Sequence, residues 1–353
     1  MWYKLLRPGL FCLDPEFSHD LSFKILTIIE KLGGLDLVQP VLPQEQKKTA
    51  VHCFGLDFAN PVGLAAGLDK NAECLAAWQA MGFGFIEMGT VTPRAQLGNP
   101  KPRLFRLEED RAIINRMGFN NKGVDALVEK IQQYRSRRPN PHIQIPVKIG
   151  VNIGKNKDTP LESAAEDYVL CYEKVYAVAD YVTVNLSSPN TPGLRTLQQG
   201  ESLKNILLPL KNIQDQQANK TGRKVPLLVK LAADLDNNEL INIVSTLLAL
   251  KIEGVIVTNT TVKRPASLRS QEAQETGGLS GAPLFRDSTD MIKKIYAQAG
   301  EALPIIAVGG IMTPEQAQEK LSAGAKLIQL YTGLIYEGPS LVSKTIHLLR
   351  KKD

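Results

Sequence analysis

Residues Pro304–Gly333 read PIIAVGGIMTPEQAQEKLSAGAKLIQLYTG. The first run, Pro304–Gly309, is apolar and β-branched, and Leu327–Thr332 repeats that character. Between them Thr313-Pro314-Glu315-Gln316 opens a helix over Pro314–Ala323, with threonine as N-cap, proline at the first helical position and glutamine at the third. Strand, helix and strand in so short a span predict a parallel βαβ unit.

The same rhythm extends upstream. Apolar runs recur at Val62–Ala66, Phe85–Gly89, Val147–Asn152, Tyr181–Leu186, Leu227–Ala232 and Gly254–Asn259, which with the opening pair makes eight. Helical periodicity fills Leu161–Ala179 and Asn237–Leu250. Near-continuous apolar strands alternating with helices predict a parallel sheet covered on its faces. Eight units predict an α/β fold of the (β/α)8 TIM-barrel type, and no early GxGxxG turn supports an open dinucleotide-binding sheet. Residues 91–121, 187–200 and 260–281 read as long polar loops on the barrel face where chemistry sits.

Composition narrows the class. The 353 residues are 43% hydrophobic and 22% charged, ordinary globular usage. Four cysteines (Cys12, Cys53, Cys74, Cys171) and four histidines (His19, His52, His142, His347) are scattered without ligand spacing, so neither a disulfide framework nor a metal site is expected. The net charge of +6 includes basic runs at Arg135–Arg138 and Arg350–Lys352. Neither is interleaved with aromatics, and no nucleic-acid module is present. Such runs read as solvated faces or as attraction to anionic lipid headgroups.

The polar residues sort by barrel position. Strand ends carry Asp69 and Lys70, Thr90, Asn152, Asn185, Asn259 and Thr260, then Gly309-Gly310 and Tyr331-Thr332-Gly333. Amides and hydroxyls converging on one mouth suit a flat, hydrogen-bonding ligand. The glycines after strands seven and eight stand where barrels commonly hold a phosphate. Lys230 falls in the middle of the apolar strand LLVKLA, where a lysine is costly without an anionic or electron-rich partner. Phosphate cradle, buried lysine and amide ring together fit a flavin mononucleotide, with Lys230 near the N1/O2 edge of the ring. A second, stacked ligand would then meet Asn115, Asn185, Asn190 and Asn259.

No run reaches the length of a membrane span. In the N-terminal stretch, Leu21, Ile25, Ile28, Ile29 and Leu32 form one helical stripe that Phe23 and Leu26 widen. This predicts either a helical extension packed on the barrel or an interfacial device, with Trp2, Tyr3 and Lys4 suited to a headgroup zone.

The blocks NPVGLAAGLDKNAE, GFIEMGTVTPRAQLGNPKPRLFRL, INRMGFNNKGVD, NIGKNKDTP, VNLSSPNTPGLRTLQ, LLVKLAADL, GVIVTNTT, TGGLSGAPL and IIAVGGI give the chain a family likeness. Over essentially its whole length it resembles the class 2 (quinone-dependent) dihydroorotate dehydrogenases. The resemblance implies FMN held around Ala66, Gly67, Leu68, Asp69, Lys70, Thr90, Asn152, Asn185, Lys230, Thr258, Gly281, Gly310, Tyr331 and Thr332. It implies dihydroorotate or orotate held by Lys70, by Asn115, Arg116, Met117, Gly118 and Phe119, and by Asn185, Asn190, Asn259 and Thr260.

Ser188 is the implied general base, taking a proton from C5 while a hydride leaves C6 and handing it on through a threonine or water relay. The class 1 enzymes carry cysteine there; none of the four cysteines here lies in that loop. Residues 1–40 would be a membrane-associating extension forming a quinone tunnel, and residues 41–353 the FMN-binding catalytic barrel. Ubiquinone or menaquinone would be the partner, on the cytoplasmic side of the inner membrane, with the protein peripheral and monomeric. Two competitors remain: a class 1 enzyme using fumarate or NAD, which the serine and the extension disfavour, and a non-catalytic phosphate-ligand barrel, which leaves Lys230, Ser188 and the asparagines without a task.

Overall fold

Eight parallel strands close into a barrel in the computed structural model, which describes residues 2–35, 49–137 and 145–350. They are Val62–Leu64, Phe85–Val91, Lys148–Ile153, Tyr181–Asn185, Leu227–Leu231, Gly254–Val257, Ile305–Ala307 and Leu327–Leu330. Chain order runs around the barrel, and the eighth strand pairs with the first (Ile328 with Val62, Gln329 with Gly63). Every strand expected from the sequence is present, and the Pro314–Ser322 helix starts with the anticipated Thr313/Gln316 capping box.

The barrel's lower half is filled by rings set over glycines. Gly63 lies in register with Phe85, and Gly150 with Tyr181. A Cβ on Gly63 would come within 2.3 Å of the Phe85 ring, and one on Gly150 within 2.0 Å of the Tyr181 ring. Below them a hairpin, Val51–Cys53 with Leu56–Phe58, brings Phe58 edge-on to Phe85 at 5.4 Å between centroids. Phe54 of the same hairpin closes on Gly254 at the start of the sixth strand. The end opposite the strand C-termini is thereby stoppered by apolar rings.

At the other end the long loops carry structure that the sequence reading expects only as polar connection. Leu104–Leu107, Ala112–Asn115 and Gly278–Gly281 pair as an antiparallel sheet, with Ala112–Asn115 in the middle. This sheet stands over one side of the barrel mouth and joins the loop after strand two to the loop after strand six.

Two helices precede the barrel, Trp2–Phe11 and Pro15–Lys31, the second capped by Asp14, whose carboxylate accepts from Phe17 N. Phe23 is buried against Trp78, and Leu26 packs on the core. The predicted stripe turns the other way: Ile25, Ile28 and Leu32 are 45%, 55% and 80% exposed, as are Leu5 and Leu6 of the first helix at 82% and 55%. The boundary expected between residues 40 and 41 lies outside the described residues, as does the Trp2 side chain. Among the described residues no helix is long and apolar enough to cross a membrane.

The first basic run is tied down by ion pairs. Arg135 bridges Asp180, and Arg137 meets Glu30 of the second helix. Arg138, His142 and Lys351–Asp353 lie outside the described residues.

Candidate active site

A cavity spanning about 970 Å³, the solvent space at its mouth included, opens at the C-terminal ends of the strands. That is the end of a barrel where side chains from separate strands can meet without disturbing the packed layers below.

Three strands build its polar floor. Asn152, Asn185 and Thr90 form one hydrogen-bonded cluster: Thr90 Oγ1 donates to Asn152 Oδ1 at 2.5 Å, and Asn185 Nδ2 reaches Thr90 Oγ1 at 2.8 Å and Asn152 Oδ1 at 3.1 Å. Asn185 Oδ1 accepts from Ser187 N and Oγ, which turns the chain sharply out of strand four. Asn259 Nδ2 then donates to Ser187 Oγ at 2.9 Å.

Beneath this cluster lies Glu87, fully buried in strand two. Its carboxylate accepts from Asn152 Nδ2 at 2.8 Å, Gln329 Nε2 at 2.7 Å and the Tyr181 hydroxyl at 3.0 Å. Lys230 is buried and lines the cavity, and among the described residues no group hydrogen-bonds or ion-pairs with its ammonium. Desolvation pulls its pKa below the usual lysine range, and the Glu87 carboxylate opposes that pull. A buried cation without a contact partner is costly unless a ligand supplies one.

The rim comes from the loops. Ser188 is buried and lines the cavity, its Oγ accepting from Asn190 N at 3.2 Å. Asn190 Nδ2 donates to Asn115 O at 3.0 Å, which ties the serine loop to the antiparallel cap. Arg195 ties the same loop to the far side, through Asp234 at 2.8 Å and Thr260 O at 3.2 Å. Lys70 lines the cavity beside Gly67; desolvation and the nearby Arg103 lower its pKa to about 8.

Glycines form the wall opposite. Gly309 and Gly310 both have positive φ, and a Cβ on Gly310 would come within 2.4 Å of Phe285 Cα. Ser280 and Thr332 share a hydrogen bond at 2.8 Å beside Gly281.

The structure gathers most of the expected residues around this one cavity: Ala66, Gly67, Lys70 and Thr90; Asn115, Met117, Gly118 and Phe119; Asn185, Ser188, Asn190 and Lys230; Thr258, Asn259 and Thr260; Gly281, Gly310, Tyr331 and Thr332. Four expected residues are not among those lining it. Leu68 is buried in the core, its carbonyl accepting from His19 Nε2 at 2.8 Å. Asp69 ties down the start of the helix Leu75–Ala80 through Glu73 N, Cys74 N and Trp78 Nε1. Asn152 stands behind Thr90 and Asn185. Arg116 swings outward to Glu275, its guanidinium 4.5 Å from the Phe105 ring centroid.

Gln329 and Glu87 belong to the site without being among the residues expected from the sequence. Both are polar residues inside apolar barrel strands, the signal that singled out Lys230, and Gln329 lines the cavity with its Oε1 unpaired.

The residues suit a phosphorylated flavin on three grounds: Lys230 without a contact partner, the orphaned Gln329 Oε1, and a glycine turn that a Cβ would obstruct. Backbone at Gly309–Gly310 and hydroxyls at Ser280 and Thr332 are the donors available for a phosphate.

The family model described as dihydroorotate dehydrogenase matches residues 48–352. A relative from Vibrio parahaemolyticus named dihydroorotate dehydrogenase (quinone) is 52% identical over 344 residues, spanning 97% of this chain and 98% of its own. One of the same name from Proteus mirabilis is 50% identical over 347 residues, spanning 98% and 99%. Among solved structures, a DHODH from Eimeria tenella in complex with ferulenol superposes with a TM-score of 0.87 at 40% identity, covering 97% of this chain and 93% of that one.

Proposed function

The chain belongs to the dihydroorotate dehydrogenase family, and we propose on that premise that it oxidises (S)-dihydroorotate to orotate in de novo pyrimidine (UMP) synthesis, with FMN bound in the barrel and a membrane quinone as final electron acceptor. The observation that carries this reading is one cavity in which buried Lys230, buried Ser188 and the Asn185/Asn259/Asn190 amides face the same space.

FMN would be held by Lys230, Thr90, Asn185, Gln329 and the Gly281, Gly309–Gly310 and Thr332 backbone region, and when bound it supplies the hydride acceptor. Each remaining task falls to the chain. Lys70 and the Asn115–Phe119 segment orient the substrate carboxylate and ring, so that binding is converted into alignment. Ser188 Oγ takes the C5 proton, which is acidic because it is α to a carbonyl, as it releases its own hydroxyl proton onward through a threonine or water relay. Asn190 N, donating to that oxygen, fixes where it points. The asparagine cluster holds amide donors and acceptors in one orientation because each is already engaged with a neighbour.

Residues 1–40 would form the membrane-facing part, with residues 41–353 as the catalytic barrel. What supports this is a helix pair bonded to the adjacent connections after strands one and eight, with exposed apolar residues turned away from the barrel. His19 reaches Leu68 O, while Arg7 Nη1 reaches Tyr336 O at 2.8 Å on the helix after strand eight. Ubiquinone or menaquinone would arrive there, and the protein would sit peripherally on the cytoplasmic side of the inner membrane.

The test is spectroscopic. Purified protein should carry a visible flavin spectrum that dihydroorotate bleaches without oxygen. Ser188→Ala should keep the spectrum and bleach about 10²–10⁴-fold more slowly. Unchanged bleaching would remove Ser188 from the role of base.

A further inference from the structure

Lys320 lies behind the glycine wall of the cavity, on the helix Pro314–Ser322, and none of its surface reaches solvent. Its Nζ donates to Ser288 Oγ at 2.7 Å and Thr289 Oγ1 at 3.1 Å, and lies 5.0 Å from the Phe285 ring centroid. Among the described residues it forms no ion pair; Glu319 and Asp290 act on it without contacting it. Burial draws its pKa down to about 7. A fully buried ammonium held only by hydroxyls and a ring is a poor way to fill a core, because methionine would pack the same volume without desolvating a charge.

Its partners lead to one place. Ser288 Oγ, besides meeting Lys320, lies 3.0 Å from Gly309 O. Phe285 is the residue whose Cα would meet a Cβ on Gly310 at 2.4 Å. Leu284, just before it, lines the cavity together with Gly309 and Gly310. The ammonium is therefore one hydroxyl removed from the backbone of the turn that faces the candidate phosphate position.

We propose that Lys320 is the buried countercharge of the cofactor phosphate: a positioning residue that braces Phe285 and Ser288 against Gly309–Gly310 and makes this end of the cavity select a phosphorylated flavin. It touches neither flavin nor substrate. The inference rests on the FMN reading above and adds the origin of its preference for FMN over riboflavin. In the low dielectric behind the wall a single positive charge acts on a phosphate dianion with little screening.

Flavin-stripped wild-type protein, Lys320→Met and Lys320→Gln would be titrated with FMN and with riboflavin, following flavin fluorescence. Wild type should prefer FMN. Both neutral variants should lose at least about tenfold in FMN affinity while riboflavin affinity stays unchanged, a difference of the size one desolvated charge supplies. Flavin-free Lys320→Met should also melt no lower than flavin-free wild type. Equal losses for FMN and riboflavin, unchanged FMN affinity, or failure of both neutral variants to fold would each make Lys320 a structural wedge and overturn the proposal. Wild-type protein that binds neither flavin would refute the cofactor reading itself, before Lys320 is touched.

Discussion

Lys70 shows how one residue's surroundings set a measurable limit. Its ammonium is depressed to about 8, with desolvation as the main cause and Arg103 adding to it, while Glu16, Asp69 and Asp20 pull the other way. Charge is therefore present below about pH 8 and lost above it. An anionic ligand held by Lys70 binds the charged form, so orotate affinity should be flat below about pH 8 and fall up to tenfold per pH unit beyond it. Equilibrium titration of orotate against the flavin spectrum would read this, and Lys70→Gln should bind weakly with no such limb. A flat wild-type profile would take Lys70 out of the substrate site. At this scale the sequence was informative where barrel geometry did the sorting. Asn185, Asn259 and Ser188 stand at strand ends, and strand ends face the mouth. Arg116, Leu68 and Asp69 sit inside blocks that resemble the family equally well. Arg116 turns toward a partner far away in the chain, Glu275, whereas Asp69 is turned by near neighbours, the Glu73 and Cys74 amides and the Trp78 indole, a turn that a strand-end pattern does not show.

Among the elements, the second helix divides its apolar residues between two faces. Phe23 and Leu26 hold it to the barrel, and Ile25, Ile28 and Leu32 are left in the open. Substituting Ile25→Glu and Ile28→Glu together removes apolar surface that stands 45% and 55% exposed on the face away from Phe23 and Leu26, so the fold should persist. Flavin bleaching by dihydroorotate should stay at the wild-type rate. Partition onto lipid vesicles and turnover with a long-tailed quinone should both drop at least about tenfold, given roughly 25 cal/mol per Å² of apolar surface withdrawn from lipid. Equal turnover in the double variant would detach this helix from the quinone reaction. The strands and capped helices of the barrel were readable because their periodicity is local. The antiparallel cap was not: LFRL, AIIN and GLSG are four-residue runs, and the last joins from the loop after strand six. No window of sequence contains that pairing. The stripe on the second helix was visible, but its direction was not, since periodicity shows that a face exists and not what covers it.

For the molecule as a whole, the cavity leaves Lys230 and Gln329 unsatisfied at the centre of an otherwise packed barrel. A ligand that binds only the folded state adds stability by mass action. Removing the flavin should lower the thermal midpoint, and FMN at about a hundred times its dissociation constant should restore roughly 2.7 kcal/mol, with the midpoint rising further as FMN is increased. A midpoint indifferent to FMN would mean that the cavity is not its site. The stoppered lower end carries a consequence for traffic. With Phe54, Phe58, Phe85 and Tyr181 filling that end, ligands approach the chamber from the C-terminal ends of the strands, where the serine loop follows strand four and the N-terminal helix pair meets the connections after strands one and eight. A water-loving reductant and an oil-loving oxidant would then come to the same end of the barrel from different sides, each arriving from its own solvent. On the proposed reading the chain would stand as a relay between two phases, and ping-pong kinetics are the pattern to expect from two half-reactions that share one flavin.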